Sequence, residues 1–225
     1  MKKLFLIPAR GGSKGLPRKN ILPLAGRPLI YYTLDSAIGA MEPEDDLCVS
    51  TDDSEILQVV KDYGVKVPFV RPSPLASDTA GSKEVIQHAI DWYMAEGKKF
   101  DVVILLQVTS PLRNAQHIKE ALGLWEDHLD MVVSVKETDA NPYYVLFEED
   151  KDGFLQRSKK GSFTRRQDCP KVYELNGAIY IMHPNSIKGK SEKKMKKYAM
   201  SKLESVDIDD RIDLIFAETL LKEFH

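Results

Sequence analysis

The sequence predicts an α/β protein: a three-layer α/β/α sandwich around a mostly parallel central sheet. Short β-rich runs alternate with longer amphipathic segments, the pattern of a sheet covered by helices. Val102 to Leu106 is a continuous apolar run that ends at Gln107, as expected of a central strand buried on both faces. The segments between these runs are rich in glycine, proline and aspartate, which places turns and loops there.

In chain order, Leu4 to Ile7 reads as the first strand. Residues 8–20 hold too many glycines and prolines for a helix or strand and form a loop. A helix starts at about Pro28, where a proline costs no hydrogen bond. Leu47 to Ser50 is the second strand, and Thr51, Asp52 and Asp53 supply the turn and N-cap of a helix running through Val60. Three further helices follow from apolar spacing: Val85, Ile86, Ala89, Ile90, Tyr93 and Met94; Ile118, Ala121, Leu122 and Trp125; and Ile212, Ile215, Phe216, Thr219 and Leu220. All three stripes are expected to face the core. From about Asn141 to Lys171 the helical rhythm stops. Tyr143 to Phe147 reads as a strand of a β-hairpin excursion, and Ala178 to Met182 resumes a buried strand. With no repeat or linker visible, the 225 residues are expected to form one domain, 1–225, with residues 141–171 as its excursion.

A composition of 43% hydrophobic and 29% charged residues excludes a disordered or collagen-like chain. The apolar runs fall far short of the ~18 residues a membrane span needs, so a soluble chain without secretion signal or anchor is expected. Cys48 and Cys169 show no metal-ligand spacing, which makes a reducing cytoplasm the simplest compartment. The net charge of −2 hides an asymmetry, because residues 151–202 carry 14 Lys/Arg against 4 Asp/Glu. Aromatics do not interleave regularly with that block. The cluster Lys193, Lys194, Lys196 and Lys197 therefore reads as a solvated face, and no nucleic-acid partner is expected.

In open α/β sheets ligands bind at the carboxyl ends of the strands, so the loops after Ile7, Ser50 and Leu106 should share one rim. The first of them can form an anion-binding nest from the N–H groups of Gly11, Gly12 and Ser13, with Arg10, Lys14, Arg18 and Lys19 around it. That much positive charge suits a triphosphate. The loop matches neither GxxxxGK[ST] nor G-x-G-x-x-G, which removes a P-loop kinase and a dinucleotide-dependent dehydrogenase. Gly11 to Gly15 formally matches G-x-S-x-G, but a nucleophile elbow needs more strands before it and a helix directly after it. A serine hydrolase at Ser13 is therefore the weaker alternative. Asp207 and Asp209, if extended, share one face opposite Ile208 and form a fair Mg²⁺ site, while Asp210 can N-cap the last helix. The five histidines are scattered and receive no role.

Five segments in order, Ile7–Asn20, Arg71–Asp78, Leu106–Arg113, Asn176–Tyr180 and Asp207–Asp209, resemble the acylneuraminate cytidylyltransferases, the CMP-sialic acid or CMP-nonulosonate synthetases. The resemblance implies a Rossmann-like nucleotidyltransferase fold. It also implies transfer of CMP from CTP to the anomeric hydroxyl of a nine-carbon 2-keto sugar acid, with release of pyrophosphate. By motif position it assigns Arg10, Gly11, Gly12, Ser13, Lys19, Asn20, Arg71 and Ser82 to the nucleotide, with Lys19 and Arg10 catalytic. Gln107, Thr109, Ser110 and Tyr180 go to the sugar acid, and Asp207 and Asp209 to Mg²⁺. It implies a homodimer in which the arm at residues 141–171 closes the partner's pocket, with Arg166 on the sugar carboxylate. Asn141-Pro-Tyr-Tyr144 departs from the family by placing an aromatic where sialic acid enzymes carry a lysine. Legionaminate and pseudaminate therefore stay open beside N-acetylneuraminate. A non-catalytic nucleotide-binding module of the same fold is the remaining alternative.

Overall fold

Strand β1 (Lys3–Pro8) lies one place in from the edge of a six-stranded sheet and is flanked on both sides by parallel partners. The structure, a computed structural model, describes residues 1–13, 15–77, 81–187 and 194–224. Lys14, Asp78 and Lys193 of the motifs above lie outside the described residues. After β1 come α1 (Leu29–Ile38), β2 (Asp46–Ser50), α2 (Ser54–Asp62), α3 (Ser82–Ala95), β3 (Val102–Leu106), α4 (Ala115–Leu122) and β4 (Met131–Glu137). A hairpin of β5 (Phe147–Glu149) and β6 (Leu155–Arg157), then β7 (Tyr173–Met182), β8 (Met195–Ala199) and α5 (Arg211–Phe224), complete the order. The sheet order is β8-β4-β7-β3-β1-β2. Its β1–β2, β1–β3 and β4–β8 pairs are parallel, and β7 runs antiparallel between β3 and β4.

Successive side chains of a strand point to opposite faces, so β1 and β3 feed two cores. Phe5, Ile7, Val102, Ile104 and Leu106 pack with Leu29 and Leu34 of α1, Ile56 and Val60 of α2, Ile118 of α4 and Ala217 of α5. Leu4, Leu6, Val103 and Leu105 pack with Ile86, Ala89, Ile90 and Tyr93 of α3. These are the three expected layers. Burial of each Val, Leu or Ile contributes on the order of 1.5–3 kcal/mol, so the buried side chains of β1 and β3 are a large part of what holds the sheet to its helices.

Four local expectations need correction. The stripe Ile212, Ile215 and Phe216 is not core: these side chains are 76%, 56% and 48% exposed, whereas Ala217 and Leu220 are buried. Leu214, Ala217 and Leu221 form a second apolar stripe at helical spacing, and periodicity cannot choose between two such faces. Met94, at the end of the first stripe, is also exposed. Residues Tyr143 to Leu146 are a turn, because the Asn141 side chain accepts the Tyr143 N–H at 2.9 Å and its carbonyl accepts the Val145 N–H at 2.9 Å. The hairpin strand starts only at Phe147. Pro28 stands before α1 rather than inside it, since it pairs with Pro23 in a two-residue ladder.

Of the lysine cluster, Lys196 and Lys197 lie on β8, an edge strand. There Lys196 pairs with Glu126 at 2.6 Å and Lys197 lies 4.4 Å from the Tyr173 ring centroid, so the charges that solvate this edge also blunt it against pairing with another sheet. No helix among the described residues is long and apolar enough to cross a membrane.

Two substitutions test this packing in urea unfolding. Ile104→Ala should cost about 2–5 kcal/mol as a buried large-to-small change. Phe216→Ser, on the exposed face of α5, should stay within about 0.5 kcal/mol of the parent.

Candidate functional site

The loops after β1 and β3, together with the segment between α2 and the start of α3, enclose a cleft of about 360 Å³ lined by Arg10, Ser13, Lys19, Asn20, Arg71, Ser82, Gln107 and Thr109, whereas the loop after β2, expected on the same rim, does not line it. The convergence is fixed by backbone bonds. Ala9 donates to the Ser50 carbonyl at 2.9 Å, and Arg71 N–H donates to the Thr51 carbonyl at 2.7 Å. The buried Arg71 guanidinium donates through Nε to Ser50 Oγ at 2.9 Å and through Nη2 to the Ser50 carbonyl, while burial lowers its affinity for a proton. Asn20 is also buried and donates to the Arg10 carbonyl at 2.9 Å, which closes the base of the glycine-rich loop. Arg10 reaches across the cleft to the Ser77 carbonyl at 3.3 Å.

The glycine loop differs in detail from a free nest. Gly11 N–H already donates to Asp52 Oδ1 at 3.1 Å, and a Cβ on Gly11 would collide with the Asp53 carboxylate. A Cβ on Gly12 would meet nothing within 4 Å, so the open part of the loop begins there. Arg18 does not face the cleft. Its guanidinium forks onto Asp53 and also pairs with Glu55, which leaves Arg10 and Lys19, among the described residues, as the loop cations on the cleft wall.

Lys19 Nζ donates to the Ile208 carbonyl at 2.9 Å and to Asp209 Oδ1 at 3.1 Å, so the segment before α5 is brought to the rim. Ile208 N–H in turn donates to the Thr109 carbonyl at 2.8 Å. Asp207 is half-buried while the Asp209 side chain is 78% exposed. Burial pushes the Asp207 carboxyl up from its ordinary value and the neighbouring Asp209 adds to this, while the nearby Thr109 hydroxyl and the Lys19 cation pull it down. Asp207 Oδ1, Thr109 Oγ1 and Ser110 Oγ are buried without a hydrogen-bond partner among the described residues. Ser110 is fully buried and does not line the cleft. Tyr180 is half-buried, and burial together with the Asp207 charge raises its phenol. Asp210 caps α5, accepting from Ile212 N–H at 2.7 Å and Asp213 N–H at 3.0 Å, while Asp213 returns the contact to Asp210 N–H at 3.0 Å.

Gly177 explains how Gln107 and Asp207 meet. It lies on β7 at φ +76, where the register with β4 shifts, and a Cβ there would stand 3.4 Å from Gln107 Oε1 and 3.7 Å from Asp207 Oδ2. The preceding Asn176 satisfies this irregular backbone. It accepts from Ala178 N–H at 3.2 Å and donates to Ser205 Oγ at 2.9 Å, two residues before Asp207. Arg166 is not brought to this cleft within the chain. It lies in a separate concavity with Glu137, Asn141 and Lys171 and pairs with Asp139.

Sequence reasoning quoted Arg113 in a motif without giving it work. It is fully buried, donates through Nη1 to the carbonyls of Gln107 and Ala178, each at 3.1 Å, and through Nη2 to Ser36 Oγ at 3.1 Å. Burial with no facing carboxylate pushes it down to about 9. A lone arginine at the end of the neutral run Gln107 to Leu112 was the available signal.

A cytidylyltransferase family model matches residues 4–222. The chain is 38% identical over 220 residues to an N-acylneuraminate cytidylyltransferase of Streptococcus agalactiae serotype III, covering 96% of this chain and 52% of the relative. It thus spans about half the length of that relative. It is 33% identical to a pseudaminic acid cytidylyltransferase of Campylobacter jejuni, covering 100% of this chain and 98% of the relative. It is 34% identical to a CMP-N,N'-diacetyllegionaminic acid synthase of Legionella pneumophila, covering 99% and 97%. A solved CMP:2-keto-3-deoxy-manno-octonic acid synthetase complexed with CTP has the same fold, with a TM-score of 0.72 at 17% identity over 99% of each chain.

Arg113→Met should cost about 2–4 kcal/mol in urea unfolding, because it leaves the Gln107 and Ala178 carbonyls unpaired in the interior. Arg113→Lys should not restore the parent value, since one ammonium cannot span acceptors that a planar fork reaches together.

Proposed function

Since the chain belongs to the cytidylyltransferase family, we propose that it transfers CMP from CTP to the anomeric hydroxyl of a nine-carbon 2-keto sugar acid, releasing pyrophosphate. One observation carries this reading. A single cleft joins a cationic half (Arg10, Ser13, Lys19, Arg71) to a neutral polar half (Gln107, Thr109), and two carboxylates lie beside the junction. The first half suits a nucleoside triphosphate and the second a polyhydroxylated acid.

In this reaction the sugar hydroxyl forms a new O–P bond to the α-phosphorus as the bond to pyrophosphate breaks in line. Most of the rate then comes from positioning and charge neutralisation. Lys19 and Arg10 meet the phosphates, with Gly12 and Ser13 offering backbone N–H groups. Asn20 holds the loop closed, and Arg71 and Ser82 border the nucleoside. Gln107, Thr109 and Tyr180 orient the sugar acid, while Ser110, fully buried off the cleft wall, is not placed to touch it. The acyl pattern stays within the nonulosonates named by the relatives: N-acylneuraminate, pseudaminate or legionaminate.

The donors present fit Mg²⁺. Asp207 Oδ1 is a buried carboxylate oxygen with no partner among the described residues, and Asp209 lies close enough to raise its pKa. Among the described residues no three Asp, Glu, His or Cys side chains gather into a site, so the remaining ligands would be water and phosphate oxygens, which suits Mg²⁺. When bound, the ion would supply a positive clamp for the leaving pyrophosphate. Lys19 would keep Asp209 in place until then.

The β5–β6 arm supports a homodimer. Val145, Leu146, Phe147, Phe154 and Leu155 are exposed together on it, and Arg166 stands at its base, so this arginine would serve the partner's cleft. The two free cysteines suit a reducing, cytoplasmic setting.

The test is pyrophosphate release with CTP and Mg²⁺ across N-acetylneuraminate, legionaminate, pseudaminate and KDO, with ATP, GTP and UTP as controls. Release with CTP and one nine-carbon acid is expected; CTP binding with silence across every acid would overturn the assignment. Lys19→Met should lower kcat by at least about 100-fold with little change in Tm. Asp207→Asn removes a buried charge, so its Tm without Mg²⁺ should rise by about 2–4 °C, while the Tm rise that Mg²⁺ and CTP give the parent should vanish.

A further inference from the structure

Arg18 and Lys19 are neighbours in a loop of cations, yet they do opposite things. Lys19 lines the cleft, and Arg18 turns away to the start of α2. The divergence comes from the backbone. Arg18 sits at φ 60, ψ 24, a left-handed conformation that, among the described non-glycine residues, only Ala25 otherwise approaches in the sign of φ. Such a conformation is uphill for an arginine and persists only where surrounding contacts hold it.

The Arg18 carbonyl accepts the Ile21 N–H at 3.0 Å, and its side-chain contacts converge on the N-terminus of α2. Arg18 Nη2 donates to Asp53 Oδ1 at 2.9 Å, Nη1 donates to Asp53 Oδ2, and Nη2 also pairs with Glu55. Asp53 is itself immobilised, because the same Oδ1 accepts the N–H groups of Glu55 at 2.9 Å and Ile56 at 3.0 Å as the helix cap. The Arg18 fork is the main reason its carboxyl is held below the usual range. The other end of the loop meets the same turn, since Gly11 N–H donates to Asp52 and only the lack of a Cβ lets Gly11 pass the Asp53 carboxylate. Two adjacent aspartates thus grip both the entry and the exit of the glycine loop.

We infer that Arg18 and Asp53 are a positioning pair that presets the glycine loop and aims Lys19 at the cleft, and that Arg18 is not itself a phosphate ligand. A loop ordered before the nucleotide arrives spares the binding step that ordering cost. The inference rests on the CTP reading above.

The experiment compares the parent with Arg18→Met, Arg18→Lys, Asp53→Asn and the Met/Asn double variant. CTP affinity is measured by calorimetry, KM and kcat by pyrophosphate release, and backbone protection of residues 11–20 by hydrogen exchange. Asparagine keeps the helix cap, so Asp53→Asn should fold with a Tm near the parent's. Each single variant should raise Kd and KM for CTP by about tenfold, leave KM for the sugar acid unchanged, and speed exchange at Gly11. The double variant should be no weaker than either single one, since both remove the same contact. Arg18→Lys should behave like Arg18→Met, because an ammonium cannot reproduce the fork.

Additive losses in the double variant, or a lysine variant with the parent's affinity, would show Arg18 touching the nucleotide and overturn the inference. Single variants with the parent's affinity and protection would overturn it as well. A parent that binds no CTP would instead sink the reaction assignment, and the exchange data would still decide whether the pair orders the loop.

Discussion

A fully buried strand must surface somewhere, and every polar backbone group at its exit has to be satisfied from inside the protein. In this chain that constraint falls at the end of β3. Val102 to Leu106 lie between two apolar layers, and at Gln107 the chain turns out toward the cleft with α1 and β7 packed around it. Arg113 answers the constraint by bonding the carbonyls of Gln107 and Ala178 at once and resting on Ser36. A buried cation is expensive to desolvate, and here its cost is offset by hydrogen bonds to neutral groups rather than by a counter-ion. The floor of the cleft is therefore a rigid piece of core, and the polar side chains above it inherit its position.

Charge is distributed around the cleft with a consistent logic. Acidic residues on both flanks hold the glycine loop: Asp52 and Asp53 from the turn that leads into α2, Asp209 from the segment before α5. Arg10 and Lys19 are left facing the space between. Asp53 shows the electrostatic sign of this arrangement. Its folded carboxyl is lowered by the Arg18 fork, so the stability it adds is present above its ordinary value of 3.8 and is lost as pH falls through the lowered one. Asp207 is the opposite case, a carboxylate that burial disfavours and that has no partner for Oδ1 among the described residues.

Much of this was legible before any coordinates. The apolar run of β3, the breaker-rich residues 8–20, the Asp53 cap and the Asp210 cap each follow from local chemistry that tertiary contacts reinforced. Of the residues that the family motifs assign to the substrates, the cleft is lined by Arg10, Ser13, Lys19, Asn20, Arg71, Ser82, Gln107 and Thr109, and not by Gly11, Gly12, Ser110, Tyr180 or Arg166. The readings that failed were those where two local solutions had equal merit. The α5 helix carries two apolar stripes, and Tyr143 to Leu146 could extend as a strand until the Asn141 side chain and carbonyl curl them into a turn.

By itself, the sequence determined the alternation of strands and helices, the glycine loop, and the residue types gathered at the strand ends, because these rest on local propensity, burial pattern and motif order. Only the tertiary structure decided which face of α5 is buried, that Arg18 serves Asp53 rather than the cleft, and that Arg113 is the buried support of Gln107. Each of those outcomes depends on a partner far away in the chain, 35 residues for Arg18 and 65 for the Arg113 contact to Ala178. Side-chain hydrogen bonds of that reach follow from how the sheet is assembled, and no local pattern encodes them.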